Sequence, residues 1–470
     1  MVKKYLSLCC LCICISSLAK AQQYGLFNTK TLFDGFENPA QKTFVLDSSR
    51  KFASNFLLPY FGLNAANKGN SDMIRRAINE GVYNASKLPL RTGDINTIHQ
   101  NTNIYLLNFK IFQSYKYQKE MGFAWQLRSD AHIDYTNETL AILDSYKRFD
   151  NNPYNDVFNN DGYEQSYHQF SFNYRENFNK RLAFGVKISL LSGITYNRLN
   201  ITDSYFLMDP GNEIIDVRVK GTYKASFLET NELSSKTLVP TFRNPGMSFS
   251  FGTSYQAKRG VFIMANIKDL GFIKWRKTSY VNNINAQTNI ATFTNVKDEI
   301  ADIATDNSVQ KSFYSATNAK IDFMISKSYS AGYAFSYTPG LIVSKNLFYK
   351  GGDAAFVNKF KYNGFSLSAI PTYNFNNLFF MGMQGMYQTP NFEVFLGSDN
   401  LFKTITQING AIQQDPSIGS GYNGGSFYIG LGIKFGNTVE HPQNSSTMPG
   451  INDQESSFFK RLFSLFSKKK

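Results

Sequence analysis

The feature that most limits what this chain can become is an apolar–polar alternation of period two, repeated along most of its length. From Met247 to Gln256, the residues Met247, Phe249, Phe251 and Tyr255 alternate with Ser248, Ser250, Gly252, Ser254 and Gln256. The same pattern holds for Tyr105, Leu107, Phe109 and Ile111, and for Met121, Phe123, Trp125 and Leu127. It recurs in Leu182, Phe184, Val186, Ile188 and Leu190, and in Phe427, Ile429, Leu431, Ile433 and Phe435. Successive side chains of a strand point to opposite faces, so each run is a strand with one oily and one polar face. Such faces need a second sheet or lipid to cover them.

The N-terminus favours lipid. Met1-Val2-Lys3-Lys4, an apolar stretch from Tyr5 to Leu18, and Ala19-Lys20-Ala21 together form a secretory signal peptide over residues 1–21. Its apolar run is too short to span a bilayer comfortably. All four cysteines, Cys9, Cys10, Cys12 and Cys14, leave with it, so the mature chain has no disulfide, no thiolate metal ligand and no cysteine nucleophile. Beyond Gln22 no stretch of about 18 apolar residues offers a membrane helix, yet the chain holds 43 Phe and 28 Tyr. An exported, aromatic-rich chain whose oily and polar residues alternate has the signature of a transmembrane barrel. The fold class expected is all-β: an antiparallel transmembrane β-barrel of about fourteen strands (roughly twelve to sixteen), with an N-terminal lumen segment and short helices in its loops. A secreted β-sandwich fits the composition alone, but many of the runs reach the roughly 9–11 residues that a tilted membrane strand needs.

Tight connections fall at Tyr117 to Glu120, Asn177 to Arg181 and Gln256 to Gly260, and long ones at Asn64 to Gln100, Asn137 to Tyr163, Asn282 to Tyr314 and Phe402 to Gly425. Short helical patterns occur at Thr139 to Tyr146 and Asn295 to Ala304. Strands are expected near 43–62, 103–116, 119–136, 164–178, 181–208, 214–228, 246–257, 260–280, 314–328, 330–346, 356–374, 376–389, 391–399 and 425–436. The long pair 181–208 and 214–228 reads as a hairpin projecting beyond the bilayer, joined at Asp209-Pro210-Gly211-Asn212. One strand between 181 and 246 is miscounted, because the turns at 177–181 and 256–260 cannot lie at the same end with an odd number of strands between them. The chain thus divides into the signal peptide 1–21, a plug-like segment 22–42, the barrel 43–436, and a linker and basic amphipathic tail 437–470. In that tail the period turns helical: Phe458, Phe459, Leu462, Phe463, Leu465 and Phe466 share a broad face, with Lys460, Arg461 and Lys468 to Lys470 supplying charge. A helix of this kind lies on the inner face of an outer membrane or grips a periplasmic or membrane partner; a frayed solvated terminus is the plainer reading.

Tyr428-x-Gly430-x-x-Ile433-x-Phe435 ends the last strand in the pattern that barrel-assembly machinery reads. Any Gly-rich alternating strand could match it, but this one comes last. The formal net charge of +14 becomes +11 once Lys3, Lys4 and Lys20 leave with the signal. Nucleic acid does not explain it in an exported chain. Lys110, Arg128, Arg175, Lys187, Arg218, Lys220, Lys224 and Lys434 alternate with lipid-facing residues and are candidates to line the lumen, where they would favour anions; the bland alternative puts many of them in the rims.

No catalytic residue, cofactor site or metal site is indicated. His99, His132, His168 and His441 lack metal-ligand spacing, and no nucleophile elbow, His-Glu-x-x-His or phosphate-binding loop occurs. Gly419-x-Gly421-x-x-Gly424 fits the dinucleotide pattern in letters only, because a strand follows it instead of a helix.

Several short stretches resemble a family. Asn38-Pro39-Ala40, Asn244-Pro245-Gly246-Met247, Lys268-Asp269-Leu270-Gly271-Phe272-Ile273-Lys274-Trp275 and the run from Phe392 to Asn400-Leu401 look like uncharacterised outer-membrane β-barrels of Bacteroidota. More distantly they are similar to the long-chain fatty-acid transporter barrels. That resemblance implies an outer-membrane barrel of fourteen strands with an N-terminal plug, marked here by Asn38, Pro39 and Ala40, and hydrophobic substrates. Read without it, the Asn-Pro and Pro-Gly pairs are turn punctuation, and Trp125 and Trp275 suit an interfacial aromatic girdle. The function expected is passive passage of a small or hydrophobic solute. The other reading is a non-transporting scaffold at the surface or in a secretion or motility assembly. Outer-membrane lipid and the barrel-assembly machinery are the expected partners.

Overall fold

The computed structural model describes residues 24–43, 50–69, 85–86, 88–113, 118–209, 214–228, 238–290, 299, 302–303, 305–332, 334–376, 378–413, 423–438 and 457–467. The signal peptide, the turn at 210–213, most of the 295–304 helical pattern and the linker 439–456 lie outside these residues. Fourteen antiparallel strands close into one barrel. They are β1 (Arg50–Ser54, continuing as Tyr60–Lys68), β2 (Ile95–Gln113), β3 (Lys119–Thr136), β4 (Asp161–Asn177) and β5 (Leu182–Asp209). Next come β6 (Ile214–Ala225, continuing as Pro245–Gln256), β7 (Val261–Trp275, continuing as Tyr280–Ile290), β8 (Val309–Gln310, Phe313–Ala316 and Lys320–Lys327) and β9 (Phe335–Asn346). The ring is completed by β10 (Gly352–Tyr362), β11 (Phe365–Asn374), β12 (Leu378–Gln388), β13 (Phe392–Ser398) and β14 (Asn423–Thr438). The first strand pairs with the last, Ser54 opposite Ile433 and Phe61 opposite Ile429, so no edge is left open.

Alternation decides which way each side chain points. In β6 Met247 and Phe249 are exposed on the outer wall while Ser248, Ser250 and Ser254 are buried in the lumen. Phe123, Phe172, Ile188, Phe272, Phe323, Leu341, Phe356, Leu367, Phe379 and Leu396 continue that outer belt around the ring. So large a continuous apolar surface is stable only against lipid. No helix of the described residues is long and apolar enough to cross a membrane.

Short turns gather at one end of the barrel, here the turn end, and the longer connections at the other, the loop end, where the helix α3 (Leu401–Gln413) follows β13. At the loop end β5 to β7 extend past their neighbours. There Phe206, Ile215, Val217, Ile284 and Ile290 pack with Phe149, Tyr154, Phe158 and the helix α2 (Asn137–Asp144) into an apolar cap. Thr136 caps α2 by accepting from the Thr139 N–H at 3.3 Å. This cap follows the expected hairpin projection and the 139–146 helical pattern.

Three expectations change. Segments 214–228 and 246–257 are two halves of one strand, since both pair with β5: Ile215 opposite Met208, and Met247 opposite Leu190. The two halves run in the same direction, which removes the parity fault. Conversely, 356–374 is two strands, β10 and β11, turning at Asn363-Gly364 with Asn363 at φ 51°. Tyr362 and Phe365 pair across that turn and both face outward, so the apolar alternation runs through it unbroken. The two errors offset in the count. Finally, Trp275 is no girdle residue. It is fully buried beside Tyr196 and Phe313 and donates to Ser315 Oγ at 2.8 Å, whereas Trp125 sits half-buried on the outer wall stacked on Phe170.

Candidate functional site: a lumen filled by the N-terminal segment

Residues 24–43 lie inside the barrel, touching strands all around the ring. The segment makes no ladder of its own apart from a 3-10 turn at Tyr24–Leu26 and the single turn α1 (Asp34–Glu37), so its backbone carbonyls must find other donors. The wall supplies them. Asn108 donates to Leu32 O, Asn173 to Gly35 O, Lys187 to Phe36 O, Asn266 to Glu37 O, and Arg175 and Ser254 to Ala40 O, at 2.8–3.4 Å. Inside the segment, Asp34 accepts from the Thr29 and Lys30 N–H groups at 2.8 Å and from the hydroxyls of Thr29 and Thr31. That fixes its shape before the wall contacts count.

Charges are matched in three buried groups. Asp269 accepts from Lys187 at 2.9 Å, from Gln169 at 2.8 Å and from Arg128. Glu37, on the segment, pairs with Lys268 and accepts from Tyr105 Oη at 2.8 Å. A β-bulge at Lys268 and Asp269 turns two consecutive charges into the lumen, which period two forbids elsewhere. In the second group Glu120 accepts from the Thr43 hydroxyl at 2.7 Å and lies 3.6 Å from Lys110 and 3.9 Å from Arg175. In the third, Glu393 accepts from the Leu32 N–H at 2.5 Å and lies 3.9 Å from Lys434. Leu26, Leu32, Phe33 and Phe36 fill what remains against Tyr60, Tyr105, Phe395 and Tyr428.

The Asn38-Pro39-Ala40 element sits in a slot made by two glycines paired across β5 and β6, Gly185 and Gly252. A Cβ at Gly185 would come 2.0 Å from Pro39 O, and one at Gly252 2.2 Å from Asn38 Oδ1. Gly185→Val should therefore expel the segment while sparing the barrel. In detergent, residues 24–43 would become cleavable by added protease in this variant and stay protected in the wild type. Equal protection in both would show that the segment seats elsewhere.

Of the candidate lumen bases, the structure places Lys110, Arg128, Arg175, Lys187 and Lys434 inside, each buried and near a carboxylate. Arg218 and Lys220 are not lumen residues. On the projecting part of β6 the odd positions Ile215, Val217 and Val219 face the cap, so Arg218 and Lys220 stand on the exposed face, paired with Asp216 at 3.8 Å and Asp203 at 3.1 Å. Lys224 shares their even register and lies half-buried, its ammonium 5.9 Å from the Phe313 ring. Of the last-strand residues, Tyr428 and Gly430 face inward, and Ile433 and Phe435 outward, Phe435 packing on Phe52 and Phe56. Sequence reading missed the acidic half of the site, Glu37, Glu120, Asp269 and Glu393. The signal for Asp269 was two adjacent charges, Lys268-Asp269, inside an alternating strand. His99 and His132, far apart in sequence, are register partners with rings 6.1 Å apart, and Asp134 lies 3.1 Å from His132 Nε2. Among the described residues no group of three or more such side chains could hold a metal ion.

The tail folds back on the outer wall at the turn end as α4 (Phe458–Ser467). Glu176, outward-facing on β4 and fully buried, accepts from Ser457 Oγ at 2.5 Å and from the N–H groups of Phe458 and Phe459 at 3.2 and 2.7 Å. An anionic side chain is well placed at a helix N-terminus. Phe459 packs on Tyr174 and Phe184, and Phe463 on Phe178 and Phe184. Glu176→Ala should release α4 without unfolding the barrel. Protease should then trim the tail at least tenfold faster, and an unchanged rate would mean that Glu176 does not hold it.

Fold and site together define a transmembrane β-barrel whose own N-terminal segment plugs its lumen. The chain belongs to a family of unknown function, DUF5723, whose match spans residues 46–399. No curated protein matches it. Among solved structures it is similar to the toluene transporter TbuX of Ralstonia pickettii, at 8% identity and TM-score 0.41, covering 85% of this chain and 92% of that one. The toluene transporter TodX of P. putida aligns at 8% identity and TM-score 0.40, with coverage of 86% and 94%. The translocator domain of the autotransporter NalP from Neisseria meningitidis aligns at 7% identity and TM-score 0.32, with coverage of 83% and 90%.

Proposed function

We propose that this protein resides in the outer membrane, with its turn end in the periplasm, and passes a small or hydrophobic solute passively when the N-terminal segment moves aside. One observation carries the reading: the segment is a separate piece of chain held mainly by polar side-chain bonds, and not a layer of the barrel sheet. Bonds of that kind can be exchanged for water one at a time, so the barrel need not unfold to open. The apolar cap at the loop end supports a hydrophobic cargo, because a solute entering there meets oily side chains before it meets the plug. The test is flux of toluene and of a neutral sugar into vesicles that carry the full mature chain and have an outer leaflet of lipopolysaccharide, which slows apolar solutes as a phospholipid leaflet does not. Heat-modifiable gel mobility confirms the folded barrel. Toluene-selective influx is expected above that of protein-free vesicles. Background influx of both solutes would instead leave the scaffold reading, which the filled lumen and the docked α4 favour: a closed barrel presenting a basic amphipathic helix to the periplasm.

A further inference from the structure

Between the plug and the wall at the turn end lies a cavity of about 640 Å³. Lys30, Lys42, Arg175, Lys180, Arg181, Lys359 and Lys361 contribute seven cations to its lining, and among the described residues no carboxylate lines it. Three of these cations act together. Lys30 comes from the plug, in a left-handed turn at φ 64°, and Lys359 and Lys361 come from the inward register of β10. Lys359 donates to Asn28 O at 3.0 Å, and Gln388 to Lys30 O at 3.2 Å, which pins the plug's Asn28–Lys30 corner against this part of the wall. Among the described residues neither Lys30 nor Lys361 has an ion-pair partner. Hydroxyls flank both wall lysines in register: Thr338 and Ser368 beside Lys359, Ser336 and Ser366 beside Lys361. Ser336, Thr338 and Ser366 line the cavity with them.

We propose that this cavity is a binding site for a phosphate-type oxyanion that bridges plug and wall. Asp34, the carboxylate closest in effect to Lys30 and Lys359, is already taken up by four donors from Thr29, Lys30 and Thr31, and the rest of the chemistry is one-sided. Ammonium groups and hydroxyls offer donors and positive charge, and three clustered ammoniums repel one another until a multivalent anion sits among them. A singly charged carboxylate neutralises one of the three; a phosphate or pyrophosphate neutralises most of the set. Since one lysine belongs to the plug and two to the wall, the bound anion holds the plug in place. The site therefore acts as a bolt on the periplasmic side and is independent of what the barrel passes.

The test is calorimetric titration of inorganic pyrophosphate into the full mature chain in a zwitterionic detergent at low salt. Saturable binding is expected, weakened at least tenfold in Lys359→Gln/Lys361→Gln and unchanged in Lys220→Gln/Lys274→Gln, whose lysines lie outside the cavity. A parallel titration with short-chain phosphatidylglycerol separates the sources, since a free phosphate compound binds in the cavity while a lipid headgroup is barred from it by its chains. In wild type, pyrophosphate should also slow protease cleavage of residues 24–43. Heat of equal size in both double variants, or pyrophosphate binding with no protection of the plug, overturns the proposal. Neither readout involves solute flux, so the site and the passage reading can fail separately.

Discussion

Deleting residues 24–43 from the mature chain should turn a barrel with no measurable ion current into an open pore. The segment is the only described chain that occupies the lumen between the apolar cap and the turn end, and it touches most of the fourteen strands. Removing it releases Lys187 and Arg175 from the carbonyls of Phe36 and Ala40 and leaves Lys268 without Glu37. Those cations would then face water in the channel beside Lys359 and Lys361, and the pore should prefer anions. Planar-bilayer recordings give both answers: a step conductance in the deletion and none in the wild type, with a reversal potential on the anion side. Equal conductance in the two would show that the plug does not close the barrel. A silent deletion would place the closure in the cap formed by Phe149, Phe206 and α2.

The fold was legible in the sequence because its physics is local: residue by residue, alternation records which face meets lipid. Where the record failed, something non-local overrode it. The break in β6 is visible only from its partner, since both halves pair with the one continuous strand β5. The Tyr362 and Phe365 pair disguised a turn because both rings face the same lipid. Trp275 was misplaced for a related reason: at the upper barrel the inside is oily, so apolar character no longer marks the outside. The same inversion put Arg218 and Lys220 on the exposed face. The bases Lys110, Arg128, Arg175 and Lys187 could be found by register alone, but their partners Glu37 and Asp269 could not. Glu37 belongs to a segment with no strand pattern, and Asp269 reaches the lumen only through a bulge.

Asp269→Asn should be among the most damaging single substitutions in the lumen. Asp269 has φ 52°, a backbone that asparagine tolerates nearly as well as aspartate, and the amide keeps one acceptor oxygen in place. What changes is the charge. Arg128 and Lys187, with side chains 4% and 1% exposed, would be left buried without their carboxylate. Stranding buried charges in this way costs about 3–5 kcal/mol, far above the value of a surface pair. Urea unfolding of the barrel in lipid vesicles should show an unfolding free energy lowered by about that amount, read as an earlier midpoint at an unchanged slope. The coupling is specific: Arg128→Gln made together with Asp269→Asn should recover part of the loss, because the double variant removes one stranded cation along with the charge it needed. Losing the Asp269 charge also weakens the hold on Lys187, which donates to Phe36 O of the plug, so the plug should loosen as the barrel weakens. A loss below about 1 kcal/mol would mean that water reaches Arg128 and Lys187 in the wild type, and the lumen would then be wet and the plug already partly open.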